Sequence, residues 1–314
     1  MTVLVCKGDG CARLISVSRV PGGNPTARAD PEGWATDFTM CPACEAAYCD
    51  RCRGKAAACP VCGTALVGWA EYERLPRDRP HPAVEAHRRG RSLYESDRPA
   101  AALAAFDEAV ALRPGYPEAH LFRGFLLEQL GRPEEAAAAY ARVLTVEPEH
   151  ADALFRLGTL QLGGGQLEQA VRTLDRVIAL RGFRVPARLN RIVAQIRLGR
   201  PGDALAAAEA LIAEADVAAR EMAAAGFDEP RISELMNAEH PTPGDQVKAS
   251  LLKAAALLDL GRAGDALELL DFLQQRGVDT PELHSNRAAA LRTLGRPDEA
   301  VIADRIARSM RREQ

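Results

Sequence analysis

The residues best able to do chemistry in this 314-residue sequence are eight cysteines, all of them between Cys6 and Cys62. They come as four pairs: Cys6/Cys11, Cys41/Cys44, Cys49/Cys52 and Cys59/Cys62. The last three are Cys-x-x-Cys knuckles. A knuckle points two thiolates at one ion, so two pairs complete a tetrahedral four-sulfur zinc site. Eight ligands make two closed sites. Neither keeps a position for water, which makes the zinc structural rather than catalytic. The Met1–Gly10 segment lacks the basic start and apolar core of a secretory leader. A cytoplasmic location is therefore expected, where clustered thiols hold metal in preference to forming disulfides. The spacings do not match ferredoxin-type iron–sulfur patterns.

Two pairings are open. A sequential one joins the first pair to the second and the third to the fourth. A cross-braced one puts Cys6, Cys11, Cys49 and Cys52 on one ion and Cys41, Cys44, Cys59 and Cys62 on the other. Only four residues separate Cys44 from Cys49, and six separate Cys52 from Cys59. Interleaving lengthens the loops within each site, which favours cross-bracing.

The stretch from Cys41 to Gly63, CPACEAAYCDRCRGKAAACPVCG, resembles a RING finger. Tyr48 directly precedes the third pair, and the last pair reads Cys-Pro-Val-Cys. The resemblance implies a small cross-braced zinc domain over residues 1–70. It also departs from the RING ubiquitin ligases. The first pair is Cys-x4-Cys and no His joins the ligands. Ala57 and Ala58 stand where a Trp is usual, and Gly63 and Thr64 follow Cys62 in place of a cation. Lys and Arg balance Asp and Glu over residues 1–76. Thiolates and zinc add net negative charge, so the metallated module is expected to be acidic and not to bind DNA. Pro21–Gly33 reads as a loop. Trp34, Phe38, Tyr48 and Trp69 read as a very small core, with a partner-binding patch as the alternative.

Behind this module the sequence repeats. Gly131 and Gly199 lie two 34-residue periods apart, and Gly261 and Gly295 one. Leu121–Pro148 reads as two amphipathic helices joined by a tight turn at Gly131, with Pro133 and Glu134 opening the second. A helix–turn–helix period of this length marks a solenoid, in which each unit buries its apolar face against its neighbours. Gly90, Ala102, Phe106, Ala109 and Pro114 share offsets with Gly124, Ala136, Tyr140, Val143 and Pro148. Gly158, Ala170, Leu174 and Val177 follow. These residues and offsets resemble the tetratricopeptide repeat. The resemblance implies a mostly α fold, a right-handed solenoid of about six helix–turn–helix repeats over 83–314, after a stiff linker at 71–82. The glycines in Gly163–Gly165 read as the third turn, since no Gly-Lys-Ser/Thr follows. The fourth repeat is degenerate, with Ile192 in place of glycine. An insertion is expected at about 217–246. Ala204–Ala225 is expected to continue into it as one long helix, with a short helix at Pro230–Ala238 and a loop at Glu239–Asp245.

Arrays of this family hold peptides on the concave face formed by the first helix of each unit. That implies a peptide-binding groove lined by His87, Arg91, Tyr94, Leu121, Phe125, Phe155, Leu189 and Val193, with Val84, Glu128, Thr159, Ile196, Leu251 and Leu258 beside them. A Lys/Asn clamp for a terminal carboxylate is missing, so the implied client is a segment with apolar anchors. On the last helix, either Asp304, Arg305, Arg308, Arg311 and Arg312 keep the outer face soluble, or Val301, Ile302 and Ile306 dock another chain in a homo-oligomer.

The formal charge of −3 gives no reason to expect nucleic acid as a partner. No apolar run is long enough to span a membrane. There is no Gly-x-Ser-x-Gly, His-Glu-x-x-His, phosphate loop or dinucleotide fingerprint. No catalytic residue is assigned, and the six histidines read as solvated or packed. The expected function is a non-enzymatic scaffold, with a client segment in the groove and the module of two structural zinc ions as a second docking surface. The alternative is a RING-type ligase-like protein that recruits a ubiquitin-like conjugating enzyme to a bound substrate. It would act by positioning alone and need no nucleophile.

Overall fold

Proline at the first helical position recurs along the chain, and it is favoured there because its missing N–H has no intrahelical partner to lose. The computed structural model describes residues 2–6, 14–17, 34–35, 38–42, 47–53, 58–59, 64–74, 82–180, 184–225 and 241–312. The chain divides into two compact units, Met1–Pro148 and Glu149–Gln314.

Among the described residues the first unit opens with six short strands. β1 (Thr2–Val5) pairs antiparallel with β2 (Leu14–Val17), which pairs parallel with β3 (Trp34–Ala35). β4 (Phe38–Met40) lies between β5 (Ala47–Cys49) and β6 (Val67–Gly68), antiparallel to both. Two short helices follow β5 and β6: α1 (Asp50–Arg53) and α2 (Trp69–Arg74). Ile15, Phe38, Met40 and Ala47 form a small core with Cys6 and Cys49, and Trp69 and Tyr72 pack on it. Helix α2 occupies the first four residues of the linker expected at 71–82. Its Trp69 and Tyr72 rings stack against the core, with centroids 5.7 Å apart, and that burial favours helix over an extended linker.

Two helix pairs complete the first unit: α3 (Pro82–Glu95) with α4 (Pro99–Leu112), and α5 (Pro117–Gln129) with α6 (Pro133–Val146). Four more pairs make the second unit. They are α7 (Ala151–Gly163) with α8 (Leu167–Ala179), α9 (Arg184–Arg197) with α10 (Pro201–Ala225), α11 (Pro243–Asp259) with α12 (Ala263–Gln275), and α13 (Pro281–Thr293) with α14 (Pro297–Arg312). The apolar spacing fixes which face is buried. On α8 it is Ala170, Thr173, Leu174 and Val177, one stripe of a 3.6-residue helix.

In the first three pairs a glycine on the first helix meets a large residue on the second. A Cβ on Gly90 would lie 2.8 Å from the Phe106 ring, one on Gly124 2.6 Å from the Tyr140 ring, and one on Gly158 2.9 Å from Leu174. The fourth pair exchanges the two partners. Ile192 fills the glycine position and Ala208 the aromatic one, and both are fully buried in one cluster. The unit that reads as degenerate has conserved its volume with the sizes reversed.

All six turns within pairs use a left-handed residue: Asp97 and Gly131, Gly165, Gly199, Gly261 and Gly295. The amide after each donates back to the last helical turn, as Arg98 does to the Leu93 carbonyl at 3.0 Å and Arg132 to that of Leu127 at 2.8 Å. Asp97 is the one non-glycine with positive φ among the described residues. Its Cβ opposes a conformation that costs an L-residue about 1–2 kcal/mol. Asp97→Gly is therefore expected to stabilise the α3–α4 pair by about 0.5–1 kcal/mol, read as slower amide exchange in both helices. Faster exchange would show that the aspartate compensates its own strain.

Helix α10 runs unbroken to Ala225, as expected. Just before its added turns it is tied to its neighbours by Gln246, whose Nε2 donates to Asp216 at 2.6 Å, and by an Arg188–Glu214 ion pair. The loop expected at Glu239–Asp245 ends earlier. Thr242 caps α11, accepting from the Asp245 amide at 3.2 Å while the Asp245 carboxylate accepts from the Thr242 amide at 3.1 Å. That reciprocal capping box starts a helix at Pro243. The short helix expected at 230–238 lies outside the described residues.

One ion pair recurs between successive pairs. An acid on a second helix meets a base on the next first helix: Asp107–Arg123 at 2.6 Å, Asp175–Arg191 at 2.8 Å, Glu209–Lys253 at 3.0 Å and Asp271–Arg287 at 2.9 Å. The Glu209–Lys253 pair keeps this register across the insertion. Half-exposed pairs of this kind contribute roughly 0–1 kcal/mol each. Their stronger effect is on specificity, because a like charge at that place is disfavoured.

Candidate binding groove and cysteine cluster

In the second unit the first helices of successive pairs pack side by side: α7 on α9, α9 on α11 and α11 on α13. Three of them, α9, α11 and α13, line an open groove of about 790 Å³. Its floor is apolar, from Leu189 and Val193 on α9 and Leu251, Leu252 and Ala255 on α11. Asp245, Lys248 and Glu282 stand at its polar edge. Asn190 and Asn286 also line it. Asn190 donates to Thr159 Oγ1 at 3.0 Å, and Asn286 donates to the Leu251 carbonyl at 3.0 Å.

Together three segments, residues 87–145, 155–219 and 251–311, match a tetratricopeptide repeat family model over more than half of the chain. The chain belongs to the tetratricopeptide repeat family. A second model of the same description matches residues 127–182. No curated protein matches the chain. Among solved structures, a tetratricopeptide repeat protein from Parabacteroides merdae is 17% identical, over 77% of this chain and 83% of its own, with a TM-score of 0.48. MamA from Desulfovibrio magneticus is 17% identical over 64% and 99%, with a TM-score of 0.49. YrrB, described as a tetratricopeptide repeat protein with an unusual peptide-binding site, is 14% identical over 66% and 92%, with a TM-score of 0.44. Overlaps of this size carry no argument about what the chain binds.

The groove residues expected from the tetratricopeptide resemblance fall into three groups. Leu189 and Val193 line the groove of the second unit, as does Leu251. Phe155 is half-buried on α7 of the same unit. In the first unit Tyr94 and Phe125 meet edge to face with centroids 5.7 Å apart, Leu121 is half-buried beside them in sequence, and Arg91 is exposed. Arg91 reaches Glu95 at 3.7 Å and lies 5.8 Å from the Phe122 ring centroid.

His87 belongs to the core instead. It is 8% exposed, with Phe106, Tyr116 and Phe122 ring centroids at 5.5, 5.2 and 5.5 Å. It stands four residues before Arg91 on the same helix, which made it look like groove lining. Aromatic neighbours from α4 and α5 cover it. Phe122, which stacks on Phe106, was missed because its helical neighbours Leu121 and Phe125 carry the more regular apolar spacing. Asn190, Lys248, Leu252 and Asn286 were missed as well. Only the packing of α9, α11 and α13 brings them together.

Burial holds the His87 imidazole below its ordinary 6.5, against the pull of Glu118 and with help from Arg91. Burial also lowers His120, although its Nε2 shares a 2.7 Å hydrogen bond with the Pro114 carbonyl. Each histidine binds its proton more readily when the chain is unfolded. The stability they contribute is full above the unfolded value of 6.5 and is lost as pH falls below it. The first unit is expected to melt at lower temperature at pH 5.5 than at pH 7.5, values chosen about one unit either side of the histidine range. His87→Phe is expected to blunt that dependence. A melting temperature flat across this range would rule it out.

In the strand region Cys6, Cys49 and Cys52 place their three sulfurs within 4.8 Å of one another. Cys49 ends β5 and Cys52 lies on α1, so the knuckle itself sets their spacing. The Cys49 amide donates to Cys6 Sγ at 3.3 Å. Burial pushes the Cys49 thiol up, but hydrogen bonds from Cys52 and Cys6 bring it down to about 7. Sulfurs on one zinc ion are about 3.8 Å apart for a bond of about 2.3 Å. The donor set therefore fits zinc. Cys59 Sγ lies 3.4 Å from the Tyr48 hydroxyl, and Cys41 is buried. Cys11, Cys44 and Cys62 lie outside the described residues.

Proposed function

We propose that the chain is a non-enzymatic interaction scaffold, whose groove holds a client segment with apolar anchors. The observation that supports this reading is the apolar floor of the second-unit groove, with charge confined to its edge. Apolar area gives such a segment its affinity, and Asp245, Lys248 and Glu282 would orient it. The client is a protein or peptide. Nucleic acid and membrane do not enter, and no described helix is long and apolar enough to cross a membrane.

The cysteine module supplies the second docking surface in this proposal. Cys6, Cys11, Cys49 and Cys52 would hold one structural zinc ion, and Cys41, Cys44, Cys59 and Cys62 the other. Bound zinc supplies cross-links that a core this small cannot replace. The convergence of Cys6 with Cys49 and Cys52 favours the cross-braced pairing.

The test is a comparison of full-length variants. Val193→Asp and Leu252→Asp put a carboxylate on the groove floor at half-buried positions. Both are expected to lose a client that the parent chain captures from its host, by about 10-fold or more in affinity; Val193→Asp is expected to keep the parent melting temperature, and Leu252→Asp, whose side chain also packs on the core around Leu211 and Ala256, to lower it. A client held equally by folded variants would overturn the groove reading. A ubiquitin-like conjugating enzyme captured by the parent and lost in Cys49→Ser would replace the scaffold reading with the ligase one.

A further inference from the structure

The charge register between successive pairs is inverted on α14. In four of the five earlier second helices an apolar residue follows the recurring alanine and an acid stands four residues on, whereas α6 has Ala137 and Ala141 there. The runs are Leu103 and Asp107, Val171 and Asp175, Leu205 and Glu209, and Leu267 and Asp271. Each acid pairs with a base on the next first helix. The apolar residue packs under that same helix, as Leu267 does against Ala288, Ala290 and Leu291. On α14 the apolar residue is Val301, and four residues on stands Arg305.

This face is shaped to receive a helix. Val301 is 57% exposed, whereas Leu267 and Leu103 are each 8% exposed. Val301, Arg305, Arg308, Ser309 and Arg312 line a surface cavity of about 540 Å³. Their spacing is one side of a helix, the side on which the earlier second helices receive the next pair. Arg311 is engaged elsewhere, donating to Ser285 Oγ at 2.6 Å. Arg308 approaches Asp304 at 3.9 Å, and Asp304 is already paired with Arg292. Among the described residues Arg305 and Arg312 make no ion pair.

We propose that this face of α14 docks an acidic amphipathic helix of a partner protein. The helix lies where the first helix of a further pair would lie, with a carboxylate against Arg305. The charge pattern argues against a second copy of this chain. Five of its six first helices carry Arg89, Arg123, Arg191, Lys253 and Arg287 at the facing position, and the sixth, α7, carries Leu157; none supplies an acid there, and the five would bring a cation to Arg305, Arg308 and Arg312. A like charge there costs affinity, and an opposite one gains it.

The test uses two stapled helical peptides with the sequence of α13, Pro281–Thr293: the native one, and one with Arg287→Glu. Each is titrated into the full-length chain by fluorescence anisotropy. The Arg287→Glu peptide is expected to bind at least about five-fold tighter than the native one. Arg305→Glu in the chain is expected to reverse that order, and Val301→Asp to abolish binding of both. Equal affinities, an order that Arg305→Glu leaves unchanged, no saturable binding, or binding that survives Val301→Asp would each overturn the proposal. So would self-association of the parent chain that Val301→Asp removes, since that assigns the face to a second copy. The inference is independent of the groove, because Val193→Asp is expected to leave peptide binding at α14 unchanged.

Discussion

Gly124→Ile is expected to destabilise the α5–α6 pair by about 3 kcal/mol, the upper range for an overpacked core. The Cβ alone would lie 2.6 Å from the Tyr140 ring. Tyr140 has little room to retreat, since it is fully buried and its hydroxyl donates to Glu128. Tyr140→Ala should cost about 3–5 kcal/mol by the opposite route, a cavity where the ring stood. The fourth pair shows how the two losses can cancel, because Ile192 and Ala208 occupy the same two positions with the sizes exchanged. Gly124→Ile combined with Tyr140→Ala is therefore expected to recover about 2 kcal/mol relative to the sum of the single changes. Urea unfolding of the four chains measures this directly. Additive losses would show that the fourth pair tolerates its exchange for some other reason.

Zinc removal is the second large effect, and it rests on the proposed cysteine sites. Structural zinc in small domains contributes on the order of 10 kcal/mol of folding free energy. On that proposal the small core around Ile15, Phe38 and Met40 would not fold without it. Chelation is expected to abolish amide protection in Phe38–Met40 and Ala47–Cys49 and to leave α11 and α12 protected. Native mass spectrometry should find two zinc ions in the parent chain. The Cys6→Ser/Cys49→Ser double variant separates the pairings. Cross-bracing places both residues on one ion, so the double variant keeps the other. Sequential pairing places them on different ions, so both are lost. Strand protection unaffected by a chelator would remove zinc from the account of this module.

Much of this architecture was legible because the signals are local. Gly124 and Tyr140 share one repeat, and the turn at Gly131 is written in four consecutive residues. Features set by neighbouring units were harder to read. Ile192 looks like a fault until Ala208 is seen beside it, and His87 looks like groove lining until Phe106, Tyr116 and Phe122 close over it. The ion-pair register was available in the sequence, since Asp107 and Arg123, Asp175 and Arg191, and Asp271 and Arg287 are each 16 residues apart. The insertion between Glu209 and Lys253 disguised it. Asp97 hid the first turn, because glycine marks the other five. The Cys6–Cys49 contact was legible only as a choice between two pairings, because spacing alone does not say which knuckles meet.

That contact has a consequence for the order in which the newborn chain takes shape on the ribosome. Each helix pair closes within its own short stretch, so it can form soon after it leaves the exit tunnel. Cys6 must wait for Cys49, which is 43 residues behind it. At about 5–20 residues per second that wait is roughly 2–9 s. Until then Cys6 has only the contacts that nearer residues such as Ile15 can give it. During those seconds its thiol is open to chaperones.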